Sequence, residues 1–200
     1  MAETTRAHKR LTDLGYYDTI LVGKGLDIGA GDDPITPDCD IFEKSLPDNG
    51  TPPPGHKIFI GDAHRTEGID VETYDFVYAS HVLEHLDNPI CAIQRWFEVL
   101  RHGGYLFITV PHRDYYERSR TLPSRWNPDH KCYWIPYGVD PPATFGLWDV
   151  ITEALDCIVS AGEWSFVQEP VSFVSDSDRF LPKYMHAENE YSIETIVQRI

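Results

Sequence analysis

The chain has 200 residues, with 17 Lys and Arg against 32 Asp and Glu, for a net charge of −15. Hydrophobic residues make up 42% and charged residues 24%, the balance of a globular chain long enough to bury its own core, so a single domain is expected over 1–200. So acidic a surface argues against general nucleic-acid binding and against attachment to anionic membranes.

The cysteines, Cys39, Cys91, Cys132 and Cys157, are widely spaced and include no CxxC pair. Neither a zinc knuckle nor a disulfide framework is expected, and reduced thiols in a cytoplasmic protein are. The first residues, MAETTRAHKRLTDLGYYD, have no apolar core and do not read as a signal peptide. No stretch approaches the roughly 18 apolar residues of a membrane span.

In chain order, 25–30 (GLDIGA) is an apolar run stopped by glycine and predicts a buried strand. Residues 39–43, 57–61 and 75–80 predict three more. LDNP at 86–89 opens a helix, with Asp87 or Asn88 as cap and Pro89 in the first turn. Ile90, Ile93, Phe97 and Leu100 give that helix one apolar face. Arg101 and His102 suit its negative end, and Gly103-Gly104 is read as its stop. Residues 105–110 (YLFITV) predict a fifth strand. Short apolar runs with little polar alternation are the mark of strands buried on both faces, so a parallel sheet with helices on both sides follows. Residues 112–142 hold five prolines and no clear period, and read as an irregular insert. A helix resumes over 144–156, and 164–174 with 191–200 predict a closing antiparallel pair.

The chemistry starts at Asp27-Ile28-Gly29-Ala30-Gly31, an acid at a strand end followed by GxG. Glycine there lets a ligand approach the backbone, and ligands of open parallel sheets bind beyond the carboxyl ends of the strands. Pro34 stands where a dinucleotide fingerprint needs a third Gly or Ala, which argues against NAD and FAD. Glu43 ends the second predicted strand and Asp62 follows the third. A carboxylate accepts two hydrogen bonds from a diol, and another can accept from an exocyclic amine, so together they outline a nucleoside-shaped slot.

GLDIGAG, IGDA, DFVYASHVLEHLDNP and VLRHGGYLFITVP, in this order, resemble the class I S-adenosylmethionine-dependent methyltransferases, in the branch carrying LEH after the fourth strand, as in ubiquinone-type and glycan-cluster enzymes. The resemblance covers 25–111 and, loosely, the last strand. It implies an α/β fold, a Rossmann-like doubly wound sheet of seven strands, mostly parallel with an antiparallel last strand. Asp27, Gly29, Ala30 and Gly31 would contact the methionine portion of S-adenosyl-L-methionine. Glu43 would hold the ribose, Asp62 and Ala63 the adenine, and Ser80 and His81 would line the floor near the sulfonium. One departure stands out: DDPITPD, between Gly31 and the second strand, is no helix, where the family usually has one. That leaves Asp40 as the alternative ribose acid.

His81-Val82-Leu83-Glu84-His85 also matches HxxEH, the pattern of a metal-dependent hydrolase if both histidines share a helix face. The string directly follows a strand tip, which makes this the lesser reading. Relatives with ExxEH hold a divalent cation, and here His81 replaces the first Glu, so a metal on Glu84 and His85 is an alternative to the expected one, in which both hydrogen-bond within the fold and close the pocket floor. In the insert, Arg113, Arg118, Arg120, Arg125 and Lys131 are interleaved with Tyr115, Tyr116 and Trp126. This predicts a cap that reads an anionic acceptor, with His112 or His130 as general base. The expected activity is O-methylation of a sugar, glycan or other anionic small metabolite. A non-catalytic cofactor-fold scaffold is the alternative.

Overall fold

The computed structural model describes residues 3–46, 55–160, 162–182, 184–186 and 189–200. Two helices, α1 (Glu3–Asp13) and α2 (Tyr16–Thr19), precede β1 (Gly25–Ile28), β2 (Asp40–Glu43), β3 (Ile58–Ile60) and β4 (Tyr74–Ser80). Helix α3 (Pro89–Glu98) leads into β5 (Leu100–Pro111). Short strands β6 (Tyr133–Ile135), β7 (Val139–Asp140) and β8 (Thr144–Gly146) follow, then α4 (Leu147–Asp156), β9 (Trp164–Val174), α5 (Asp176–Arg179) and β10 (Tyr191–Arg199).

The main sheet has the order β3-β2-β1-β4-β5-β10-β9. Its first five strands run parallel, and β10 is antiparallel to both β5 and β9. This is the seven-stranded, mostly parallel sheet expected from the sequence. All four residues of β1 are buried, as its apolar run requires. Side chains alternate across the sheet, so β4 sends Phe76 and Tyr78 to one face and Val77 and Ala79 to the other. Val77 and Ala79 join Ile93, Trp96 and Phe97 of α3 and Ile151 and Leu155 of α4 in the larger core. Phe76 and Tyr78 pack with Leu11 of α1 and with Ile20, Ile35 and Cys39 in a second core.

The loop at 31–39 holds no helix, as DDPITPD implied. Ile35, 1% exposed, plugs the face that a helix would otherwise cover. Helix α1 was not read from the sequence, and the structure shows what fastens it. Arg10 Nη1 and Nη2 donate to Glu194 of β10 at 2.6 and 2.5 Å, and its Nε donates to Glu190 at 2.8 Å. The guanidinium also lies 3.9 Å from the Phe173 ring centre.

Three expectations are corrected. Helix α3 is capped as read, with the Asn88 side chain accepting from Cys91 N–H and Pro89 in the first turn. It ends at Glu98, however, and Leu100 to Gly104 belong to β5. Leu100 pairs with Tyr74 and Tyr105 with Phe76, so 101–104 bulge out of β5 around Gly103 at φ +83°. Arg101 therefore pairs with Asp75 at 3.1 Å instead of capping a helix. The stretch 112–142 is not irregular throughout: β6 and β7 flank β8 in a three-stranded sheet, and Trp134, fully buried, anchors it. Helix α4 consequently starts at Leu147, after β8.

The Arg10–Glu194 pair predicts a stability effect. Glu194 is 1% exposed, and removing one partner of a buried pair leaves an uncompensated charge at a cost of about 3 kcal/mol. Arg10→Ala is expected to lower unfolding free energy by that amount in urea titrations. Adding Glu194→Leu should recover much of it, whereas equal losses in the single and double variants would show that the ion pair is not what holds α1.

Candidate active site

The register of the parallel strands sets the site. Ile28 lies opposite Phe42 on one side and Ala79 on the other, so β1, β2 and β4 end in one row. Gly29 follows with its N–H donating to Phe42 C=O at 2.9 Å. Its φ is +76°, and a Cβ there would lie 2.5 Å from Val82 Cγ2. Only glycine fits, because both the left-handed backbone and the contact exclude a side chain. Gly31, at φ +59°, turns its N–H onto Glu43 Oε1 at 2.7 Å. The chain thus lies flat across the strand ends.

Beyond that row opens a cleft of about 530 Å³, bordered by Gly29, Glu43, Asp62, Ala63, His81 and His85, a size typical of small-molecule sites. Of the nine residues expected to bind the cofactor, five line it. The other four sit behind or beside it. Asp27 is buried, and its Oδ2 accepts Ile35 N–H at 2.7 Å, so it ties the glycine loop down from within; burial pushes its carboxyl up to about 8. Ala30 and Gly31 continue the loop past the cleft. The Ser80 side chain borders a smaller recess with Tyr78, Thr109 and Ser192.

The two strand-end acids differ. Burial pushes the Glu43 carboxyl up, with the Gly31 N–H opposing. Asp62 Oδ1 accepts from the backbone N–H of His64 at 2.9 Å and from its Nδ1 at 2.6 Å, and these bonds hold its carboxyl below the usual range. His64 Nε2 in turn accepts Asn88 N–H at 3.3 Å, joining the β3 loop to the start of α3. Ala63 C=O accepts Trp96 Nε1–H at 2.9 Å. Asp40 lies at the opposite end of β2, with its Oδ2 taking the Tyr74 hydroxyl at 2.7 Å. Geometry therefore separates the two candidate ribose acids: Glu43 faces the cleft and Asp40 does not. Lys44, His64, Asp87 and Asp129 also line the cleft and were not singled out from the sequence. A histidine two residues beyond a strand-end acid is the one signal that could have pointed to His64.

After β4, His81 takes φ +57° and only Leu83–His85 form a single tight turn. His81 and His85 do not share a helix, so the hydrolase reading loses the geometry it required. His81 Nε2 lies 3.3 Å from Ser192 Oγ, and its Nδ1 is 3.5 Å from Glu84 Oε1. His85 Nδ1 bonds Asp129 at 3.1 Å. Glu84 is 1% exposed, yet neither of its oxygens accepts a hydrogen bond from the described residues. The expectation that Glu84 and His85 hydrogen-bond within the fold is met by His85 through Asp129 and by Glu84 at its backbone carbonyl, which accepts Lys131 N–H, and not by the Glu84 carboxylate oxygens.

The insert is stitched onto this turn by Lys131 N–H, which donates to Glu84 C=O at 2.6 Å. That bond brings buried His130 beside His85, with ring centres 4.8 Å apart. Two of the cap arginines are engaged internally. Arg113, buried, bonds Asp114 and Asp140 at 2.8 Å each, and Arg118 donates to the carbonyls of Tyr115, Asp178 and Leu181. Arg120 remains largely exposed beside Asp140, and the Arg125 guanidinium lies 5.7 Å from the Trp126 ring centre.

The two histidines proposed as bases differ as sharply. His112 Nδ1 accepts Asp114 N–H at 3.1 Å, which places the proton of the neutral ring on Nε2 and leaves no lone pair to act as a base. His130 Nδ1 bonds the buried Glu117 carboxylate, which leaves its Nε2 lone pair available.

A family model described as a methyltransferase domain matches residues 5–138. A sequence search of curated proteins finds no match. Among solved structures, a Thermotoga maritima S-adenosylmethionine-dependent methyltransferase, described as a possible histamine N-methyltransferase, is 16% identical, with TM-score 0.57 over 100% of this chain and 99% of that one. The 1,6-didemethyltoxoflavin-N1-methyltransferase of Burkholderia thailandensis, solved with S-adenosylhomocysteine, is 13% identical, with TM-score 0.60 over 98% and 79%. A methyltransferase in complex with the Haloferax volcanii activator Trm112 is 14% identical, with TM-score 0.56 over 96% and 92%.

Burial pushes the His112 ring down to about 4, with Arg113 acting in the same direction and Asp114 opposing. Its ordinary value is 6.5, so between these values the unfolded chain binds the proton and the folded chain does not. The stability this contributes is present above pH 6.5 and is lost as pH falls toward 4, by up to about 3 kcal/mol. His112→Asn, which can still accept from Asp114 N–H, is expected to flatten the fall in unfolding free energy between pH 7 and 4. Superimposable profiles for the two proteins would refute this.

Proposed function

The chain belongs to the methyltransferase domain family, and from that premise we propose that it transfers a methyl group from S-adenosyl-L-methionine to a hydroxyl oxygen of a small acceptor, a sugar, a glycan or another anionic metabolite. The observation that carries this reading is the cleft at the ends of β1, β2, β3 and β4, with Gly29 flush against Val82 and Glu43 and Asp62 on its wall. When bound, the cofactor supplies a methyl carbon on a positively charged sulfur, which an oxygen nucleophile can displace.

The residues present suit that cofactor. Gly29, without a side chain, lets the loop lie close against Val82 and leaves backbone at the cleft edge, against which the methionine portion fits. Glu43 can exchange its bond to Gly31 for two hydroxyls of a ribose diol. Asp62, kept ionised by His64, can accept from an exocyclic amine. Asp27 contributes from behind the loop by holding its shape. The main work of the protein is alignment, because the electrophile is already reactive.

An oxygen acceptor must also lose a proton. The groups that can handle it are gathered at His81, Glu84, His85 and His130, on the side of the cleft that the insert covers. His130 is the better of the two histidines named as bases, since its Nε2 lone pair is available and Glu117 fixes its ring. Arg120 and Arg125 remain to meet a negatively charged acceptor, since Arg113 and Arg118 are held inside the fold.

Calorimetry with S-adenosylhomocysteine tests the cofactor assignment. Binding at micromolar affinity, about −8 kcal/mol, is expected. Glu43→Ala should weaken it by roughly 1.5–3 kcal/mol as charge-assisted bonds to the diol are lost, while Asp40→Ala leaves it unchanged. The reverse pattern would sink the assignment, and no binding to the folded wild-type chain would favour a scaffold. A screen of metabolite pools with labelled methyl donor then identifies the acceptor. Arg120→Ala with Arg125→Ala should raise its KM without changing cofactor affinity, and rising salt should do the same. A neutral, salt-insensitive acceptor would remove the anion-reading role.

A further inference from the structure

A second cavity opens where the insert meets the segment after β9, and methyl transfer by itself does not account for it. Its volume is about 440 Å³, and its walls include Asp114, Tyr115, Arg118, Arg120, Arg179 and Leu181. None of its lining residues borders the cofactor cleft. Three guanidinium groups face one carboxylate there, in a chain of net charge −15. That carboxylate is already engaged: Asp114 accepts from Arg113 Nε at 2.8 Å and from its Nη2 at 3.2 Å.

Two segments far apart in the chain build this cavity. Arg118, at φ +54°, reaches from the insert across to residues 178–181. Its Nη1 donates to Leu181 C=O at 2.6 Å and its Nη2 to Asp178 C=O at 2.7 Å, while Nε donates to Tyr115 C=O at 2.7 Å. These partners are neutral, so hydrogen bonding fixes the group without cancelling its charge. Arg120 and Arg179 are more weakly answered. Arg120 lies 3.3 Å from Asp140, which Arg113 already holds at 2.8 Å. Arg179 Nε lies 3.9 Å from the exposed carboxylate of Asp176. Exposed pairs of this kind contribute little, so both arginines can turn to a ligand at small cost. The Arg179 guanidinium also lies 5.7 Å from the Tyr115 ring centre, and the His112 ring meets that ring edge-on at 4.6 Å.

We propose that this cavity binds a phosphomonoester, with the phosphate between Arg120 and Arg179 in the field of Arg118, and the organic part against Tyr115 and Leu181. Guanidinium forks match phosphate oxygens two at a time. A phosphomonoester carries roughly twice the charge of a carboxylate at pH 7, so it gains more from converging cations. The volume exceeds what a phosphate group fills and lies within the range of small-molecule sites, which leaves room for a ring on Tyr115. The turn at 113–117 is common to both sites: Tyr115 lines this cavity, and Tyr116 packs on His130 with ring centres 5.9 Å apart. The ester is either part of the methyl acceptor or a separate ligand. The first source rests on the methyl-transfer reading; the cavity does not.

Phenyl phosphate is the probe. Calorimetry on the full chain should show saturable one-to-one binding, at least about tenfold tighter than that of benzoate and weaker as salt rises. Arg120→Ala and Arg179→Ala should each weaken it about tenfold and leave S-adenosylhomocysteine affinity unchanged. In the wild-type chain, NMR signals of the Tyr115 ring and of Arg179 Nε–H should shift during the titration. Absence of saturable binding, benzoate binding equally well, unchanged affinity in both variants, or shifts confined to the cofactor cleft would overturn the site. Kinetics then separates the two sources of the ester. Competition of phenyl phosphate with the acceptor, together with a raised acceptor KM in Arg179→Ala, assigns the phosphate to the acceptor; binding of phenyl phosphate without either effect assigns it to a second ligand. Phenyl phosphate binding in a chain that binds no S-adenosylhomocysteine leaves the cavity standing and removes methyl transfer, and the reverse result removes the cavity and leaves methyl transfer standing.

Discussion

Every part of the site depends on one row of the sheet, where Ile28 is held between Phe42 and Ala79. Parallel pairing puts the carboxyl ends of β1, β2 and β4 level, so whatever follows each strand must share the same small space. Gly29, Glu43 and His81 are each within two residues of that row. A one-residue slip of β2 would turn Phe42 outward and Glu43 toward the core, and the cleft would lose its acid. The closeness of Gly29 to Val82 is the same constraint seen from the loop, since the β1 and β4 connections leave together and only a residue without Cβ lets both pass.

The acids of this edge are arranged at some expense. Asp27, Glu43, Glu84, Glu117 and Glu194 are all withdrawn to different degrees from water in a chain of net charge −15. Glu194 is answered by Arg10 and Glu117 by His130 and Ser124. Asp27 is left with one backbone N–H and Glu43 with another, which burial outweighs in both. Glu194 and Glu117, answered in this way, serve the fold. Asp27, held by a loop N–H, serves the fold as well, from behind the glycine loop, whereas Glu43 borders the cleft.

The sheet was legible because its signal is local. GLDI, DIFE, YDFVYAS and YLFITV are apolar runs stopped by turn residues, and strand ends mark where ligand-facing residues come. Glu43 over Asp40 was not settled in the sequence, because a loop without a helix gives no fixed length from which to count. The structure places Glu43 on the cleft and Asp40 away from it, where the Tyr74 hydroxyl, 34 positions on, pairs with Asp40. Gly103-Gly104 signal a break equally well for a helix stop and a strand bulge, and the pairing of Leu100 with Tyr74 selects the bulge. The arginines of the insert show the deeper limit. Composition counts their charge, but Arg113 and Arg118 are bound to Asp140 and to carbonyls of Asp178 and Leu181, partners that no local pattern reveals.

The same limit explains why the grouping around Glu84 was only half visible. Glu84 and His85 are adjacent in the chain and invite attention, while His130 enters through one backbone bond, Lys131 N–H to Glu84 C=O. The insert was read as a cover that touches the acceptor through its basic side chains. Its firmer contribution is a backbone tether that delivers one imidazole, already backed by Glu117, to the turn after β4. The chain thereby divides the labour between two segments. The β1, β2 and β3 ends form a surface of glycine and carboxylates suited to a nucleoside, and the turn after β4 with the insert forms a cluster of imidazoles and carboxylates suited to a hydroxyl. The two meet at His81, His85 and Asp129, so substitutions in the rest of the insert leave the strand ends undisturbed. That is a physical route by which one sheet accommodates many acceptors.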